Sequence, residues 1–234
     1  MGLPSVRAMR WWKSGKREQR SFRKRAYAIE LAHGAQTRES VALLARKYAQ
    51  PVFGRVDTWT LIERLSECVD PTDVALGATS QKVHVLQVLE AMERDGVEDG
   101  NLWLAALLHD LGKLLLLAGE KPENVVCFNT PIGSYAPGIG LDACVMQWNH
   151  DEFGFSRLEG HVPEPVAWLV RYHSLRLEHC EALMNERDCA YTERYLRPFQ
   201  HYDQGSKSQV RRPSRPLAAY RDRLGDALPR SLVF

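Results

Sequence analysis

Residues 107–113 read Leu-Leu-His-Asp-Leu-Gly-Lys, and they place His109 beside Asp110 inside a run that is otherwise almost entirely apolar. Burying an imidazole and a carboxylate costs free energy unless a partner satisfies both groups. Both are ligands of divalent and trivalent metal ions. The stretch therefore predicts a buried metal site whose remaining ligands come from other parts of the chain.

Length and composition indicate one globular domain with an unusual start. The chain has 234 residues, of which 44% are hydrophobic and 26% are charged, as is typical of a soluble domain. Residues 1–25 contain nine lysines and arginines against the single acid Glu18. We expect residues 1–25 to form a basic, flexible extension and residues 26–234 to form the domain. The extension is expected to be solvated and partly disordered rather than bound to nucleic acid.

Cysteine usage and apolar runs bear on the compartment. The five cysteines form no CxxC pair, which favours a reduced setting without a thiolate zinc site. The longest apolar run, residues 102–118, contains three ionisable groups and is short for a membrane span. A secretory signal would require an apolar segment after the basic start, and this sequence has none there. We expect a cytoplasmic protein, a monomer, with no membrane partner.

Apolar residues recur with helical spacing along most of the chain, and no strand alternation of useful length is present. The fold class predicted is all-α, a single helical bundle that encloses a dinuclear metal site. A loop of functional importance is expected over residues 119–137, which hold three prolines. Helices are predicted over residues 26–48, 58–67, 80–94, 101–118, 138–149, 164–178, 185–201 and 215–226.

Potential ligands for the predicted metal site are spread at about one per helix. If residues 101–118 form one continuous helix, His109 and Asp110 diverge by about 100°. The two oxygens of Asp110 could then bridge two ions while His109 serves one of them. Nitrogen and oxygen donors without cysteine favour iron or manganese over a structural zinc site. The full candidate set is His84, His109, Asp110, His150, His173 and Asp203.

The order and spacing of these residues resemble the myo-inositol oxygenase family, a branch of the HD-domain superfamily. The resemblance covers roughly residues 38–234 and includes the final stretch from Arg215 to Phe234. The other matching segments are residues 45–50, 107–113, 131–133, 140–142, 148–152 and 171–174, together with Asp203 and Lys207.

The resemblance implies a mixed-valent Fe(II)/Fe(III) pair that uses O2 to cleave a C–C bond of a polyol. It implies that His84, His109 and Asp203 hold one iron, that His150 and His173 hold the other, and that Asp110 bridges them. Lys113 would favour an alkoxide on the substrate, so Asp110 and Lys113 are the expected catalytic residues. The expected substrate contacts are Lys113, Ser174, Lys207, Asp70 and Phe128. Since the family covers its substrate with an N-terminal arginine, the resemblance also allows Arg20 or Arg23 to fold over the site.

Two departures from the family pattern concern the substrate rather than the metals. Phe128 stands where the family has an aspartate that bonds substrate hydroxyls, and the loop between Gly133 and Gly140 is shorter than in the animal enzymes. Losing an acceptor and gaining an aromatic face disfavours a fully hydroxylated ring. The substrate is therefore expected to be a polyol or sugar-like molecule that need not be myo-inositol.

Three other functions fit parts of the pattern. A metal-dependent phosphohydrolase is the commonest chemistry of HD-domain proteins and needs only His, His-Asp and a late Asp. An oxygenase that cleaves the C–P bond of hydroxyphosphonates would share the whole ligand set. A metal-bearing binding module without turnover is disfavoured, because nothing in the ligand set is missing. The additional pair His150 and His173, with Lys113 three residues after Asp110, favours the oxygenase but does not exclude dinuclear phosphodiesterases.

Overall fold

The structure, a computed structural model, describes the backbone of residues 6–234 and the side chains of residues 19–224 and 226–234. Helices dominate it, which confirms the all-α prediction. The helices are α1 (Val6–Gly34), α2 (Arg38–Lys47), α3 (Thr58–Arg64), α4 (Gln81–Arg94), α5 (Gly100–Leu108), α6 (His150–Leu158), α7 (Glu164–Tyr172), α8 (Glu186–Tyr191), α9 (Arg197–Ser206) and α10 (Arg221–Leu224). The described part also contains two short strands, β1 (Arg55–Asp57) and β2 (Ser231–Val233).

The centre of the bundle is α5. Every residue of α5 from Leu102 to Leu108 is buried, because the helix is apolar on all sides. Helices α4, α7 and α9 pack around it. Helices α4 and α7 each contribute a stripe of buried apolar side chains to one continuous core, and α9 contributes Phe199. The polar residues at the end of α5 are therefore surrounded by other helices.

The chain N-terminal to the core is helical across residue 25, and the division predicted at that residue stays a prediction. Helix α1 runs from Val6 through that position to Gly34, so the backbone is helical on both sides of it. Residues 1–5, and the side chains up to residue 18, lie outside the described part. The predicted helix over residues 26–48 is two helices, because Thr37 begins α2 with a capping box that includes Ser40.

The predicted helix over residues 138–149 is wrong. The segment contains one short turn, Leu141–Ala143, and a bridge that pairs Met146 with Pro131. The helix begins instead at His150, because the Asn149 side chain accepts hydrogen bonds from the backbone N–H groups of Asp151 and Glu152. The backbone N–H groups of this segment bond to other segments, with Gly140 donating to the Leu183 carbonyl and Gln147 to the Thr130 carbonyl.

The predicted helix over residues 185–201 is longer than expected. Helices α8 and α9 are joined without a break by a π-helical segment, Thr192–Leu196, and the helix continues to Ser206. Short π segments introduce an extra residue and often occur at functional sites. The extension places Asp203 inside α9 rather than in a loop.

The end of the chain is part of the fold. Strand β2 pairs antiparallel with β1, and the Phe234 carbonyl accepts hydrogen bonds from Val52 and Phe53. The Phe234 ring is fully buried and meets Phe153 of α6 edge to face, with ring centroids 5.2 Å apart. The C-terminus thus supports the helix that begins at His150. No helix among residues 6–234 is long and apolar enough to cross a lipid bilayer.

Phe234→Ala is expected to lower the free energy of unfolding by about 3–5 kcal/mol, because it removes a fully buried ring. Denaturant-induced unfolding followed by circular dichroism measures the loss. Val210, whose side chain is 87% exposed, provides the control, and Val210→Ala should stay within about 0.5 kcal/mol of the wild type. Equal stabilities of the two variants would contradict the role given to Phe234.

Candidate metal centre and substrate cavity

Six polar side chains meet between the helices that surround α5. His84 projects from the middle of α4, His150 is the first residue of α6 and Asp203 lies in α9. His109 and His173 directly follow the last residues of α5 and α7, as the C-caps of these helices. The sixth, Asp110, follows directly after His109. All six are at most 3% exposed, so the structure brings together every residue of the predicted metal set.

Asp110 lies between two groups of imidazoles. Its Oδ2 is 3.3 Å from Nε2 of His109 and 4.0 Å from Nε2 of His84. Its Oδ1 is 3.4 Å from Nε2 of His150 and 3.8 Å from Nε2 of His173. Each oxygen therefore faces a different pair of nitrogens. Two groups that could each hold a metal ion, His84-His109-Asp110 and Asp110-His150-His173, share this carboxylate.

The expectation that His109 and Asp110 diverge is wrong, because it assumed a continuous helix. Helix α5 ends at Leu108, and Asp110 adopts φ −96° and ψ 4°, outside the helical range. The break turns the Asp110 carboxylate back toward the His109 ring. The predicted helix over residues 101–118 is therefore divided into two segments. The break between them brings the side chains of His109 and Asp110 together.

Asp203 joins the first group of imidazoles. Its Oδ1 lies 2.7 Å from Nε2 of His84 and 3.8 Å from Nε2 of His109. Gln204 donates a hydrogen bond to the other carboxylate oxygen, at 2.6 Å. Asp203 therefore completes a cluster in which two imidazoles, those of His84 and His109, meet the carboxylates of Asp203 and Asp110.

Backbone carbonyls hold three of the four imidazoles. Nδ1 of His109 lies 3.1 Å from the Ala106 oxygen, and Nδ1 of His173 lies 2.9 Å from the Val170 oxygen. Nδ1 of His150 lies 2.6 Å from the Val125 oxygen, in the loop after α5. If each Nδ1 carries the proton and donates it to the carbonyl, each Nε2 presents a lone pair toward Asp110.

Burial and neighbouring charges set the protonation of the cluster. Burial, together with the nearby Lys113, holds the pKa of His150 well below its usual range, and burial with His109 lowers the pKa of His173 to about 4. Burial raises the pKa of Asp110, but Lys113 and His109 outweigh it and hold that pKa well below its usual range. Burial lowers the pKa of His109, but the Asp110 and Asp203 carboxylates outweigh it and raise that pKa, so a bound cation would displace the His109 proton. The neutral imidazoles of His150 and His173 beside ionised carboxylates form a donor set for cations.

Each of the two lysines that are predicted to contact the substrate has an acidic partner. Lys113 Nζ lies 3.0 Å from Asp110 Oδ1, 3.3 Å from Asp70 Oδ2 and 3.1 Å from Gln81 Oε1. Burial lowers the pKa of Lys113, but the Asp110 and Asp70 carboxylates outweigh it and raise that pKa above its usual value. Lys207 Nζ lies 2.9 Å from Asp73 Oδ2. The acidic turn over residues 70–73 thus fixes both ammonium groups.

A cavity of about 230 Å³ opens beside this cluster, and we call it the central cavity. Its lining includes Asp110, His150, His173 and Asp203, and all five predicted substrate contacts: Asp70, Lys113, Phe128, Ser174 and Lys207. The structure therefore brings the predicted metal ligands and the predicted substrate contacts to one space. Arg20 and Arg23 are exposed and do not line it.

Comparison with known proteins matches almost the whole domain. The sequence model of the family described as myo-inositol oxygenase matches residues 23–127 and 119–232. A probable inositol oxygenase from Oryza sativa subsp. japonica is 30% identical over 218 residues, which cover 76% of this chain and 70% of that protein. The inositol oxygenase of Bos taurus is 27% identical over 214 residues, 74% of each chain. The chain belongs to the myo-inositol oxygenase family.

Membership of the myo-inositol oxygenase family confirms the resemblance found in the sequence and supports an inositol oxygenase-like function. The roles of individual residues within the centre stay predictions. Phe128, the departure from the family pattern, lines the central cavity, and its side chain is 41% exposed. The aromatic face therefore contributes to the space that a substrate would enter.

Sequence reasoning did not assign Asp151 or Gln81 to the site. Asp151 is fully buried, with its Oδ1 3.0 Å from Nε2 of His150, and its other oxygen accepts a hydrogen bond from Ser174. Gln81 accepts a hydrogen bond from Lys113. Asp151 follows a predicted ligand directly, which was a usable signal. Gln81 lies 32 positions from Lys113, and only the packing of α4 reveals their contact.

Gly112 is required where α6 approaches the dyad. A Cβ atom at this position would lie 1.9 Å from the His150 carbonyl oxygen, which is far closer than atoms can approach. Gly154, in the next turn of α6, also packs on Gly112, because a Cβ atom on Gly154 would lie 3.6 Å from the Gly112 nitrogen. The absence of a side chain at Gly112 therefore allows His150 to reach Asp110.

Gly112→Ala is expected to lower the free energy of unfolding by about 1–3 kcal/mol, through forced displacement of the α6 N-terminus. The variant should also bind less metal per chain, because His150 moves with that backbone. Thermal unfolding and metal quantitation measure the two effects. Gly205→Ala in α9 is the control, since a Cβ atom there meets open space. If Gly112→Ala matched that control in both measurements, the packing argument would fail.

Proposed function

We propose that this protein is a non-haem diiron oxygenase that uses O2 to cleave a C–C bond of a polyol or sugar-like molecule. One observation carries the proposal: the two oxygens of the buried Asp110 face two different pairs of imidazole nitrogens. A bridging carboxylate between two ions needs this arrangement. The names of the relatives support the substrate class, since they are inositol oxygenases.

The residues of the centre fit a pair of iron ions. Nε2 of His109 is a buried atom without a hydrogen-bond partner in the described part of the chain, and a metal would satisfy it. His84, His109 and Asp203 would hold one ion, and His150 and His173 the other, with Asp110 shared. Four imidazoles and two carboxylates without thiolate suit iron.

When bound, a mixed-valent iron pair supplies O2 activation at one ion and Lewis-acid binding of substrate oxygens at the other. The lysines of the chain position the substrate hydroxyls beside it. The ammonium of Lys207 lies 2.9 Å from Asp73 and 4.0 Å from Asp203, and with three N–H donors it keeps one for a hydroxyl. Lys113 already faces three acceptors, so a substrate oxygen would displace Asp70, the most distant of them.

The buried charge of Lys113 stabilises negative charge on a substrate oxygen. Loss of a hydroxyl proton therefore becomes easier beside Lys113 than in water. Ser174 donates its hydroxyl proton to Asp151 and accepts from the Asn129 N–H at 3.1 Å, so it offers a substrate only an acceptor. Lys113 would thus donate a hydrogen bond to a substrate hydroxyl oxygen, whereas Ser174 would accept one from a substrate hydroxyl group.

Iron loading and O2 uptake test the proposal against a metal-dependent phosphohydrolase. Protein purified without oxygen should bind about two irons per chain, and partial oxidation should give an electron paramagnetic resonance signal that polyols perturb. Oxygen electrode traces should show consumption of O2 with at least one polyol from a panel. Hydrolysis of phosphoesters with bound zinc, manganese or magnesium, without O2 uptake, would instead establish the phosphohydrolase.

Asp110→Ala should abolish binding of both irons, because it removes the ligand that the two ions share. Lys113→Ala should retain both irons and lose turnover by about tenfold or more, as expected for a group that stabilises developing charge. Metal analysis and steady-state O2 uptake on the same preparations separate these outcomes. Two irons per chain in Asp110→Ala would show that the bridging assignment is wrong.

A further inference from the structure

Phe128 stands where three cavities meet. It lines the central cavity, a second cavity of about 580 Å³ that also includes His173 and Ser174, and a third of about 470 Å³ beside α1. We call the second the outer cavity. The Phe128 ring therefore borders both the central cavity and a space large enough for the rest of a substrate.

Arg176 lines the outer cavity and covers the Phe128 ring. Its guanidinium carbon lies 4.4 Å from the ring centroid, within the range of a cation–π contact. The contact uses one face of the guanidinium and leaves the N–H groups at its edge available. Phe128 thus holds a cation in a defined place between the central cavity and solvent.

Within the part of the chain whose side chains are described, Arg176 differs from the other cations of these cavities in having no carboxylate partner. Lys113 and Lys207 are paired with Asp70 and Asp73. Arg197, which shares the outer cavity with Arg176, is paired with Glu193 at 2.7 Å and Glu181 at 3.0 Å. Among the side chains of residues 19–224 and 226–234, no carboxylate lies within 4.0 Å of the Arg176 guanidinium.

We propose that Arg176, held by Phe128, is an anion subsite, and that the substrate is a hydroxylated molecule that carries a phosphate or carboxylate group. This inference rests on the proposed function, in which the hydroxyl end of the substrate lies at the metal centre. A molecule bound there would extend past Phe128 and present its charged group to Arg176. The planar fork of an arginine suits both kinds of anion.

Acidic side chains also lie near this subsite. Burial, together with nearby acids such as Glu30, raises the pKa of the Cys127 thiol to about 12, and the charge of Arg176 opposes that increase. The carboxylates of the outer cavity are Glu178 and Glu181. Glu30 lines the central cavity and, with Arg176, the cavity beside α1, where it would oppose an anion. Its removal should consequently strengthen anion binding.

Three six-carbon probes test the subsite: sorbitol, sorbitol 6-phosphate and gluconate. They differ at one end by no charge, a phosphate or a carboxylate. Calorimetric titration of the iron-loaded protein, kept free of oxygen, gives the dissociation constant of each probe. We expect at least one anion to bind about tenfold more tightly than sorbitol, as a charge-assisted contact at a solvent-exposed arginine allows. The identity of that anion distinguishes phosphate from carboxylate.

Variants assign the preference to Arg176. Arg176→Ala should remove the preference for the anion and leave sorbitol binding unchanged, whereas Arg197→Ala, in the same cavity, should keep it. Glu30→Gln should increase the preference. Phe128→Asp should reverse it, because it removes the support of the guanidinium and adds a negative charge. Equal affinities for all three probes, absence of measurable binding, or an equal loss in Arg197→Ala would overturn the proposal.

The same preparations keep the two proposals apart. If neutral polyols support O2 uptake while Arg176→Ala leaves the relative affinities unchanged, the anion subsite is wrong and the oxygenase stands. If no probe or polyol supports O2 uptake but the anion preference depends on Arg176, the subsite stands and the oxygenase assignment is wrong. Circular dichroism of each variant checks that its fold is retained.

Discussion

The structure depends on one buried carboxylate. Asp110 is 1% exposed. Lys113 at 3.0 Å balances its charge, and imidazole nitrogens lie on both sides of its carboxylate. A carboxylate in this position is costly unless several partners surround it, so the helices that supply those partners must close around α5. Metal ions between the carboxylate and the imidazoles would satisfy the atoms that protein contacts leave unpaired.

Breaks and ends of helices, more than their middles, bring the polar groups together. His109 and His173 lie where α5 and α7 end, and His150 lies where α6 begins. At such positions the side chain can turn away from the helical stripe while its neighbours remain in the core. The loop over residues 119–137 then supplies the Val125 carbonyl that holds His150. The loop is therefore a structural support of the centre as well as a wall of the cavity.

Charge changes from the centre of the site to its mouth. At the centre, acids outnumber lysines, and each lysine is fixed by an acid of the turn over residues 70–73. At the mouth, Arg176 rests on Phe128 without such a partner among the described side chains. A hydroxylated molecule suits the first region and an anionic group suits the second. The aromatic ring that departs from the family pattern joins the two regions.

The sequence alone determined the helical class, the family and the six residues of the centre, because apolar periodicity and the His-Asp dyad are local signals. It failed for residues 138–149, where turn hydrogen bonds prevail over apolar spacing, and for the angle between His109 and Asp110, which a break in α5 decides. Only the tertiary structure revealed the pairing of Lys113 with Gln81 and of Arg176 with Phe128. Such contacts join distant segments through packing, and the spacing of residues along a chain carries no record of them.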